Sequence, residues 1–317
     1  MTDDQKKRIM REMLLIRHFE LMAQTQFFAR KVPGFCHIYV GEEAVAVGVC
    51  QALKKDDYIL STHRGHGHCL AKGADPKRLM AELYGKETGY CRGRGGSMHI
   101  FVREVGILGT NGIVGGGLPL ALGGGMHAKL CKTKQVTVCF FGDGAANQGT
   151  FHESVNIAAV QQLPVIFVCE NNLYATATRV NEATLTKNFA DRARSYGIDG
   201  RVLDGNNVLE VYENALDVVT QTREGNGPTL IECKTYRHYG HYVGENADYR
   251  PQEEVDQWLR KDPIKLFSEL LIEQKVLTKE QFEQMEQEAK VQIEEAEKFA
   301  TESPFPQSNE VLQNVFS

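Results

Sequence analysis

The sequence lacks an excess of basic residues and an unbroken apolar run, and each absence argues against a class of protein. Its 36 Lys and Arg residues stand against 41 Asp and Glu residues, a net charge of -5, so nucleic acid is not an expected partner. The most apolar window, residues 113–126, contains six glycines and a proline, and residues 1–11 lack the apolar core of a signal peptide. We therefore expect no membrane segment.

The sequence also lacks any Cys-X-X-Cys motif, although it contains eight cysteines. Four of them, Cys50, Cys139, Cys169 and Cys233, lie inside apolar stretches. This pattern predicts reduced, buried thiols, which are typical of cytoplasmic proteins.

Apolar runs that alternate with helical segments define the predicted fold. Three runs rich in β-branched and aromatic residues cover residues 136–141, 164–169 and 229–235, and helix-like segments cover 150–162 and 208–223. Strands that are apolar throughout are typical of a parallel sheet covered on both faces. The predicted fold class is therefore α/β, a parallel sheet flanked by helices.

Further helices are predicted over residues 3–30, 42–53 and 76–84, whereas residues 32–40 and 58–74, rich in Gly, His and Pro, are expected to be loops. Residues 263–300 have an acidic, helical pattern with a broken apolar stripe, as in a helix that packs on a domain. With no repeat and no linker, we predict one domain over residues 1–317, with a C-terminal helical extension from about residue 262.

A polar cluster follows each of the three predicted strands: Gly142-Asp143-Gly144, Asn171-Asn172 and residues 236–241. Parallel strands present their carboxyl ends at one edge of a sheet, where ligands bind. The glycines allow a phosphate to approach the backbone, and a capping box of Thr150 and Glu153 would start a helix just beyond. Because Asp143 would repel a bare phosphate, a divalent cation between the two is expected, with Asn172 as a second oxygen ligand.

Either polar cluster alone has a simpler explanation, since Asp-Gly and Asn-Asn are common in turns. The two together are more specific, because Gly-Asp-Gly, 26 further residues and Asn-Asn span one strand-helix-strand unit. The combined pattern resembles the thiamin diphosphate motif and implies a thiamin diphosphate-binding fold.

Four segments extend the match beyond this motif: Gly142-Asp-Gly-Ala-Ala-Asn-Gln-Gly149, Gly95-Gly-Ser-Met-His99, Asn111-Gly-Ile-Val114, and Tyr236-Arg237 with Gly240-His241. With these segments, the chain resembles over residues 10–300 the alpha subunits of the first component of acetoin and 2-oxo acid dehydrogenase complexes.

The resemblance implies two cofactors, thiamin diphosphate and magnesium, and assigns residues to each. Magnesium would be held by Asp143, Asn172 and the carbonyl of Tyr174. The expected cofactor contacts are His63, Arg64, Gly112, Val114, Asp143, Gly144, Ala145, Asn172 and His241. Arg64 suits the diphosphate on physical grounds as well, since a guanidinium pairs with phosphate. The catalytic candidates are His66, His99 and His241.

The histidines of this region have competing interpretations. His63, His66 and His68 form an H-x-x-H-x-H pattern that a metal cluster would also show, but buried structural histidines explain it better. For His99, a structural role in a loop stands equal to a role near the substrate.

The resemblance further implies a heterotetramer of two alpha and two beta subunits, because the glutamate that activates the cofactor belongs to the beta subunit in this family. The substrate would be a small molecule, and its two-carbon unit would pass to a lipoyl-bearing acyltransferase. A helix with small residues at Ala121, Gly124 and Ala128 would have a face on which another helix could pack closely, and a buried contact within the chain would need the same face. The resemblance places this helix at a subunit interface.

The segment 108–117 and the loop up to Glu245 look more like the acetoin branch, in which acetoin leaves acetaldehyde and a hydroxyethyl unit on the cofactor. Pyruvate or another 2-oxo acid is the alternative substrate. The chain departs from the family at His63, where a tyrosine is frequent, at Tyr242, where regulated pyruvate enzymes carry a serine, and at Glu245-Asn246. Two weaker alternatives are half of a split transketolase and a non-catalytic nucleotide- or metal-binding module.

Overall fold

The computed structural model describes residues 1–310 and residue 312 as an α/β protein. Its strands are β1 (Tyr58–Thr62), β2 (Ile107–Asn111), β3 (Thr137–Gly142), β4 (Val165–Asn171), β5 (Tyr174–Ala175), β6 (Thr178–Arg179), β7 (Asp199–Asp204) and β8 (Thr229–Lys234). Its helices are α1 (Asp3–Phe28), α2 (Glu43–Gln51), α3 (His66–Ala71), α4 (Pro76–Leu83), α5 (Gly117–Cys131), α6 (Gly149–Val160), α7 (Val180–Ala183), α8 (Val208–Arg223), α9 (Gln252–Leu259), α10 (Pro263–Glu273) and α11 (Lys279–Glu302).

Six strands form one parallel sheet in the order β2-β1-β3-β4-β8-β7, so the predicted parallel sheet flanked by helices is confirmed. In the pairing register, Gly142 lies opposite Glu170, and Asn171 lies opposite Lys234. The carboxyl ends of β3, β4 and β8 are therefore level with one another. The three polar clusters meet at one edge of the sheet, as predicted.

Alternate residues of the central strands enter two separate cores. Val138 and Phe140 of β3 pack in a core with helices α1, α2 and α8, whereas Cys139 and Phe141 pack in a second core with α5 and α6. Side chains of successive strand residues point to opposite faces, so a strand covered by helices on both sides is apolar throughout. The continuous apolar runs of the sequence have this cause.

Several local predictions were wrong. Residues 58–74, expected to be a loop, contain β1 and α3, and the sequence analysis did not find β2 or β7. Helix α6 begins after Gln148 without a side-chain cap, and the hydroxyl of Thr150 has no hydrogen-bond partner among the described residues, so the predicted capping box is absent. The C-terminal helical segment divides into α10 and α11.

The last two helices pack on the rest of the chain. Helix α10 contacts α1 and α2, and α11 contacts α1 and α4, with its buried positions contributing to the same core as the sheet. The single domain over residues 1–317 stays a prediction, and residues 311 and 313–317 lie outside those that the structure describes.

The small residues of helix α5 pack within the chain rather than at a subunit interface. Ala121, Gly124 and Ala128 are buried within the chain, and a Cβ on Gly124 would lie 2.6 Å from Oγ1 of Thr137 on β3. The small face therefore packs against the chain's own sheet. The opposite face of α5 is exposed and apolar, with Leu120 55% and Leu130 80% exposed.

All eight cysteines are free, and six of them, including Cys50, Cys139, Cys169 and Cys233, are buried. The prediction of reduced, buried thiols is confirmed for these four residues. None of the helices in the described part of the chain is long and apolar enough to cross a membrane.

Candidate functional site

A cleft lies at the carboxyl edge of the sheet, where the chain reverses its strand order. The chain passes from β1 outward to β2 and then returns to β3 on the other side of β1. Where the connections from two adjacent strands leave the sheet in opposite directions, a crevice opens between the strands. Ligands of α/β proteins bind in this crevice. The cleft has a volume of about 770 Å³, part of it open to solvent, and the ends of β1, β2, β3 and β4 line it.

Asp143 lies on the wall of this cleft, in the turn directly after β3. It is 4% exposed, and burial raises the pKa of its carboxyl group to about 6. The turn needs glycine at Gly144, because a Cβ there would lie 2.7 Å from the Cβ of Ala175 in β5. Gly144 and Ala145 also line the cleft, so their backbone is within reach of a bound group.

Asn172 follows β4 and is held by a buried glutamate. Its side-chain amide donates to Oε1 of Glu42 at 3.0 Å, and its Oδ1 accepts from the backbone N–H of Tyr174 at 3.4 Å. The other carboxyl oxygen of Glu42, Oε2, is buried and has no hydrogen-bond partner among the described residues. Burial, with the negative charge of Glu170 added, raises the pKa of Glu42 to about 8.

Two buried arginines face these carboxyl groups. Arg64 donates to the carbonyls of Ile38 at 2.6 Å and His241 at 2.8 Å, and its Nε lies 3.8 Å from Oε2 of Glu42. Burial, followed by the charge of Arg237, lowers the pKa of Arg64 to about 10. Both guanidinium groups line the cleft, which gives it a cationic side suited to an anion.

Arg237 lies against the segment that follows Asn172. It donates to the carbonyl of Tyr174 at 3.2 Å and to the carbonyl of Thr176 at 3.3 Å. The carbonyl of Tyr174, predicted to bind magnesium, thus already accepts one hydrogen bond and keeps a second lone pair.

Glu170, at the end of β4, forms the floor of the cleft. The hydroxyl of Tyr39 donates to its Oε1 in a short contact, and Nε2 of His68 lies 3.1 Å from the same oxygen. The other ring nitrogen of His68, Nδ1, lies 2.9 Å from Oγ of Ser61. Glu170 and His68 are thus fixed by partners, as expected for structural groups beneath a binding site.

These contacts fit a divalent cation bound to a phosphate. Asp143, Glu42 and Glu170 place three carboxyl groups in one cleft. Oε2 of Glu42 accepts no hydrogen bond from the described residues, and Nε of Arg64 lies 3.8 Å from it. Buried carboxylates with raised pKa values are stabilised by a cation, and oxygen ligands select a hard one such as Mg²⁺. Arg64 and Arg237 supply the charge that a diphosphate requires.

Of the predicted catalytic histidines, only His241 lines the cleft. His66 is fully buried, with Nδ1 2.9 Å from Oε2 of Glu20 and Nε2 2.9 Å from Oγ of Ser97. Both of its nitrogens are engaged away from the cleft, so direct contact with a substrate does not fit its place in the fold.

Of the remaining predicted residues, two line the cleft and two do not. His63 and Val114 are on its wall, and Val114 is 52% exposed. Gly112 lies off the wall, where a Cβ would be 3.3 Å from Cε1 of His99. His99 is exposed and is also off the wall.

The sequence analysis missed Glu42, Glu170 and His37, and gave no role to Arg237. Two signals were available. Glu170 immediately precedes Asn171-Asn172 at a strand end, and Glu42 precedes α2, an apolar helix in which every residue except the last is buried. A glutamate next to a helix that is buried on all sides cannot place its carboxyl group in solvent.

Comparison with known proteins identifies this architecture. The model of the dehydrogenase E1 component family matches residues 11–309. The chain is 48% identical over its full length to the alpha subunit of acetoin:2,6-dichlorophenolindophenol oxidoreductase from Bacillus subtilis, and it covers 95% of that protein. The Cupriavidus necator protein of the same name is 44% identical over 97% of the chain, which covers 93% of that relative. It is 40% identical to the chloroplastic pyruvate dehydrogenase E1 component subunit alpha-3 of Arabidopsis thaliana, of which it covers 75%. The resemblance inferred from the motifs is confirmed.

The raised pKa of Asp143 predicts that this residue destabilises the ligand-free protein. A carboxyl whose pKa is higher in the folded than in the unfolded state weakens folding increasingly as the pH rises above the unfolded value, and the effect is complete above the folded value. Asp143→Asn should therefore raise the free energy of unfolding by on the order of 3 kcal/mol at pH 7.5, falling below about 1 kcal/mol at pH 4.

Urea unfolding of the ligand-free chain at several pH values measures this difference. Asp56→Asn is the matched control, since Asp56 is exposed, and it should change stability little. A constant effect of Asp143→Asn between pH 4 and pH 7.5 would contradict the prediction.

Proposed function

The chain belongs to the dehydrogenase E1 component family, and from this membership we propose that it is the alpha subunit of a thiamin diphosphate-dependent enzyme that cleaves acetoin. One observation carries the proposal: Asp143 and Asn172, at the ends of neighbouring strands, share a buried cleft with Arg64 and Arg237. Oxygen ligands and paired guanidinium groups are the recognition chemistry of a metal-bound diphosphate.

The residues of the cleft divide between the two parts of this cofactor. Mg²⁺ would be held by Asp143, Asn172 and the carbonyl of Tyr174. This carbonyl also accepts a hydrogen bond from Arg237. The diphosphate would be held by the backbone N–H groups of Gly144 and Ala145 and by Arg64, all of which line the cleft. Glu42 would fix the amide of Asn172 so that its oxygen stays available to the metal.

When bound, thiamin diphosphate would supply a nucleophilic carbon for the substrate carbonyl and would take up the electron pair of the carbon–carbon bond that breaks. The chain supplies proton transfer at the mouth of the cleft. Burial and the charge of Arg64 lower the pKa of His241 to about 4, so its imidazole is neutral at pH 7. A neutral imidazole can accept the hydroxyl proton of acetoin as the bond between its two oxygen-bearing carbons breaks and acetaldehyde leaves.

Acetoin is preferred over pyruvate as the substrate because both bacterial relatives named above, at 48% and 44% identity, carry acetoin in their names. A pyruvate-cleaving enzyme is the second candidate, supported by 40% identity to a pyruvate dehydrogenase subunit. In either case the two-carbon unit would pass to a lipoyl-bearing acyltransferase.

A beta subunit is the expected partner, and the exposed apolar face of α5 and α6 suits it. The two helices pack side by side, and their outward residues Leu120, Leu130, Ile157 and Val160 are between 40% and 80% exposed. Contiguous exposed apolar surface is typical of protein interfaces. We assign this face to contacts within an assembly of two alpha and two beta subunits.

We place the enzyme in the cytoplasm. Eight free cysteines, six of them buried, suit a reducing compartment, where thiols stay reduced.

Loss of Asp143 should abolish magnesium-dependent cofactor binding while the fold remains. Asp143→Ala removes a charged ligand from a turn, and we expect at least tenfold weaker binding of thiamin diphosphate with Mg²⁺, equivalent to about 1.4 kcal/mol. Calorimetric titration measures the affinity, with Asp56→Ala as the exposed control. Affinity within about threefold of wild type would remove Asp143 from the metal site.

The assembled enzyme should oxidise acetoin in preference to pyruvate, because the pocket must stabilise one cleavage transition state over the other. Reduction of an artificial electron acceptor, followed with the beta subunit present, gives kcat/KM for each substrate. We expect the isolated chain to be inactive. A higher kcat/KM for pyruvate would overturn the substrate assignment, and activity of the isolated chain would overturn the need for a beta subunit.

Charge on the α5–α6 face should prevent assembly. Leu130→Glu places a carboxylate on a side chain that is 80% exposed in the isolated chain, so folding should be unaffected while burial against a partner becomes costly. Co-purification with the beta subunit measures the effect. Leu185→Glu is the matched control, since Leu185 is fully exposed and lies outside α5 and α6. Normal assembly of Leu130→Glu would place the interface elsewhere.

A further inference from the structure

Glu82, in the last turn of α4, is a fully buried carboxylate that gathers backbone donors from one loop. Its Oε2 accepts the N–H groups of Cys91 at 2.8 Å and Gly93 at 2.9 Å. Its Oε1 accepts those of Gly95 at 2.8 Å and Gly96 at 3.1 Å. A carboxylate oxygen has two lone pairs, so all four acceptor positions are filled. One side chain thus holds the whole turn.

We refer to residues 91–99 as the glycine loop, because its glycines let the chain double back on itself. A Cβ on Gly95 would overlap the carbonyl oxygen of His99. Gly93 and Gly96 have φ values of +71° and +60°, which favour glycine. These glycines therefore allow the four donors to converge on one carboxylate.

A second buried anchor holds the glycine loop at Ser97. Nε2 of His66 lies 2.9 Å from Oγ of Ser97, and Nδ1 of His66 lies 2.9 Å from Oε2 of Glu20. Glu20 and His66 are fully buried, and Ser97 is 4% exposed. His66, one of the predicted catalytic residues, thus contacts the loop from behind and is itself fixed by α1.

The end of the glycine loop leads into a segment that covers the outer edge of β2. Oγ1 of Thr110 donates to the carbonyl of Met98 at 2.5 Å and accepts from the N–H of Ile100 at 2.9 Å. Val102 and Ile107 form an antiparallel bridge beyond them. Because β2 is an edge strand of the sheet, this segment pairs where a further strand would lie.

His99 and Met98 lie against the segment that forms one wall of the cleft. A Cβ on Gly112 would be 3.3 Å from Cε1 of His99 and 3.7 Å from Sδ of Met98. The next two residues, Ile113 and Val114, line the cleft. The glycine loop therefore packs directly on the backbone that carries this wall.

We propose that Glu82 is a positioning residue for the cleft: by holding the glycine loop, it keeps His99 against Gly112 and so fixes the wall that Ile113 and Val114 form. Glu82 lies off the wall, so its effect passes through the loop. Ile113 is 72% exposed and Val114 is 52% exposed, so little packing holds them from outside. Binding sites need such support from buried groups behind them.

A double-mutant cycle on the full-length chain tests whether Glu82 is coupled to Gly112. Gly112→Val places methyl groups against His99 and should lower the Tm. Glu82→Gln keeps the side-chain shape but turns an amide group towards two backbone donors, which loosens the loop and lets His99 move aside. We expect the loss of Tm caused by Gly112→Val to shrink by about half or more in the Glu82→Gln chain, since the effect of valine on the unfolded chain is common to both backgrounds.

Asp57→Asn is the matched control for this cycle. Asp57 is also a fully buried carboxylate that accepts backbone N–H groups, from Lys54 and Val136, but it lies at the amino end of the sheet. The change should lower the Tm without altering the effect of Gly112→Val. An equal reduction with Asp57→Asn would show general loosening and would overturn the proposal.

Ser97→Ala enters the same cycle from the other anchor and serves if Glu82→Gln does not fold. It removes the contact of the Ser97 hydroxyl with His66 and should also reduce the loss of Tm caused by Gly112→Val. Circular dichroism checks that each variant is folded. An undiminished effect of Gly112→Val in the folded anchor variants would overturn the proposal.

A separate consequence rests on the proposed function. With the beta subunit present, Glu82→Gln should raise the KM for thiamin diphosphate about fivefold or more, while kcat at saturating cofactor stays within about twofold of wild type. A lower kcat with an unchanged KM would contradict a role in positioning the cofactor wall. Because the Tm cycle is measured on the chain alone, a wrong substrate or partner assignment would leave its result intact.

Discussion

The burial of opposite charges in one cleft is the constraint on which the rest of the molecule depends. Asp143, Glu42 and Glu170 face Arg64 and Arg237 in a site that water reaches only in part. Taking such groups out of water is costly unless partners compensate them. In the ligand-free chain the compensation is incomplete. Oε2 of Glu42 accepts no hydrogen bond from the described residues and lies 3.8 Å from Nε of Arg64, and burial raises the pKa of Asp143. A metal-bound diphosphate would complete it, so the binding energy of the cofactor and the stability of the fold are linked.

The sequence predicts the part of this arrangement that depends on local pattern. Apolar runs in alternation with helices predict the parallel sheet, and polar residues after those runs predict the edge at which Asp143 and Asn172 meet. Strand β1 was missed because it is only five residues long and runs directly into a segment rich in histidine and glycine. Short apolar segments beside such residues have no periodicity by which to recognise them.

Contacts between distant segments set the remainder of the site. Glu42 is 130 residues from Asn172, which it orients, and His37 meets His241 from the other end of the chain. No spacing rule in the sequence relates such pairs. The same limit applies to helix α5. Its small residues would fit against another helix as well as against the chain's own sheet, and only the position of Thr137 beneath Gly124 decides between the two.

The position of Ile113 and Val114 has a consequence for how the enzyme would behave in dilute solution. Both line the cleft, both are more than half exposed, and two glycines separate them from α5, whose outer face we propose as the contact with the partner. In the proposed assembly, the entrance of the cleft and the subunit boundary would share one surface. Dissociation would open the pocket to water at the same moment as it separates the subunits, so specific activity would decline with dilution, and cofactor would shift the association equilibrium towards the complex.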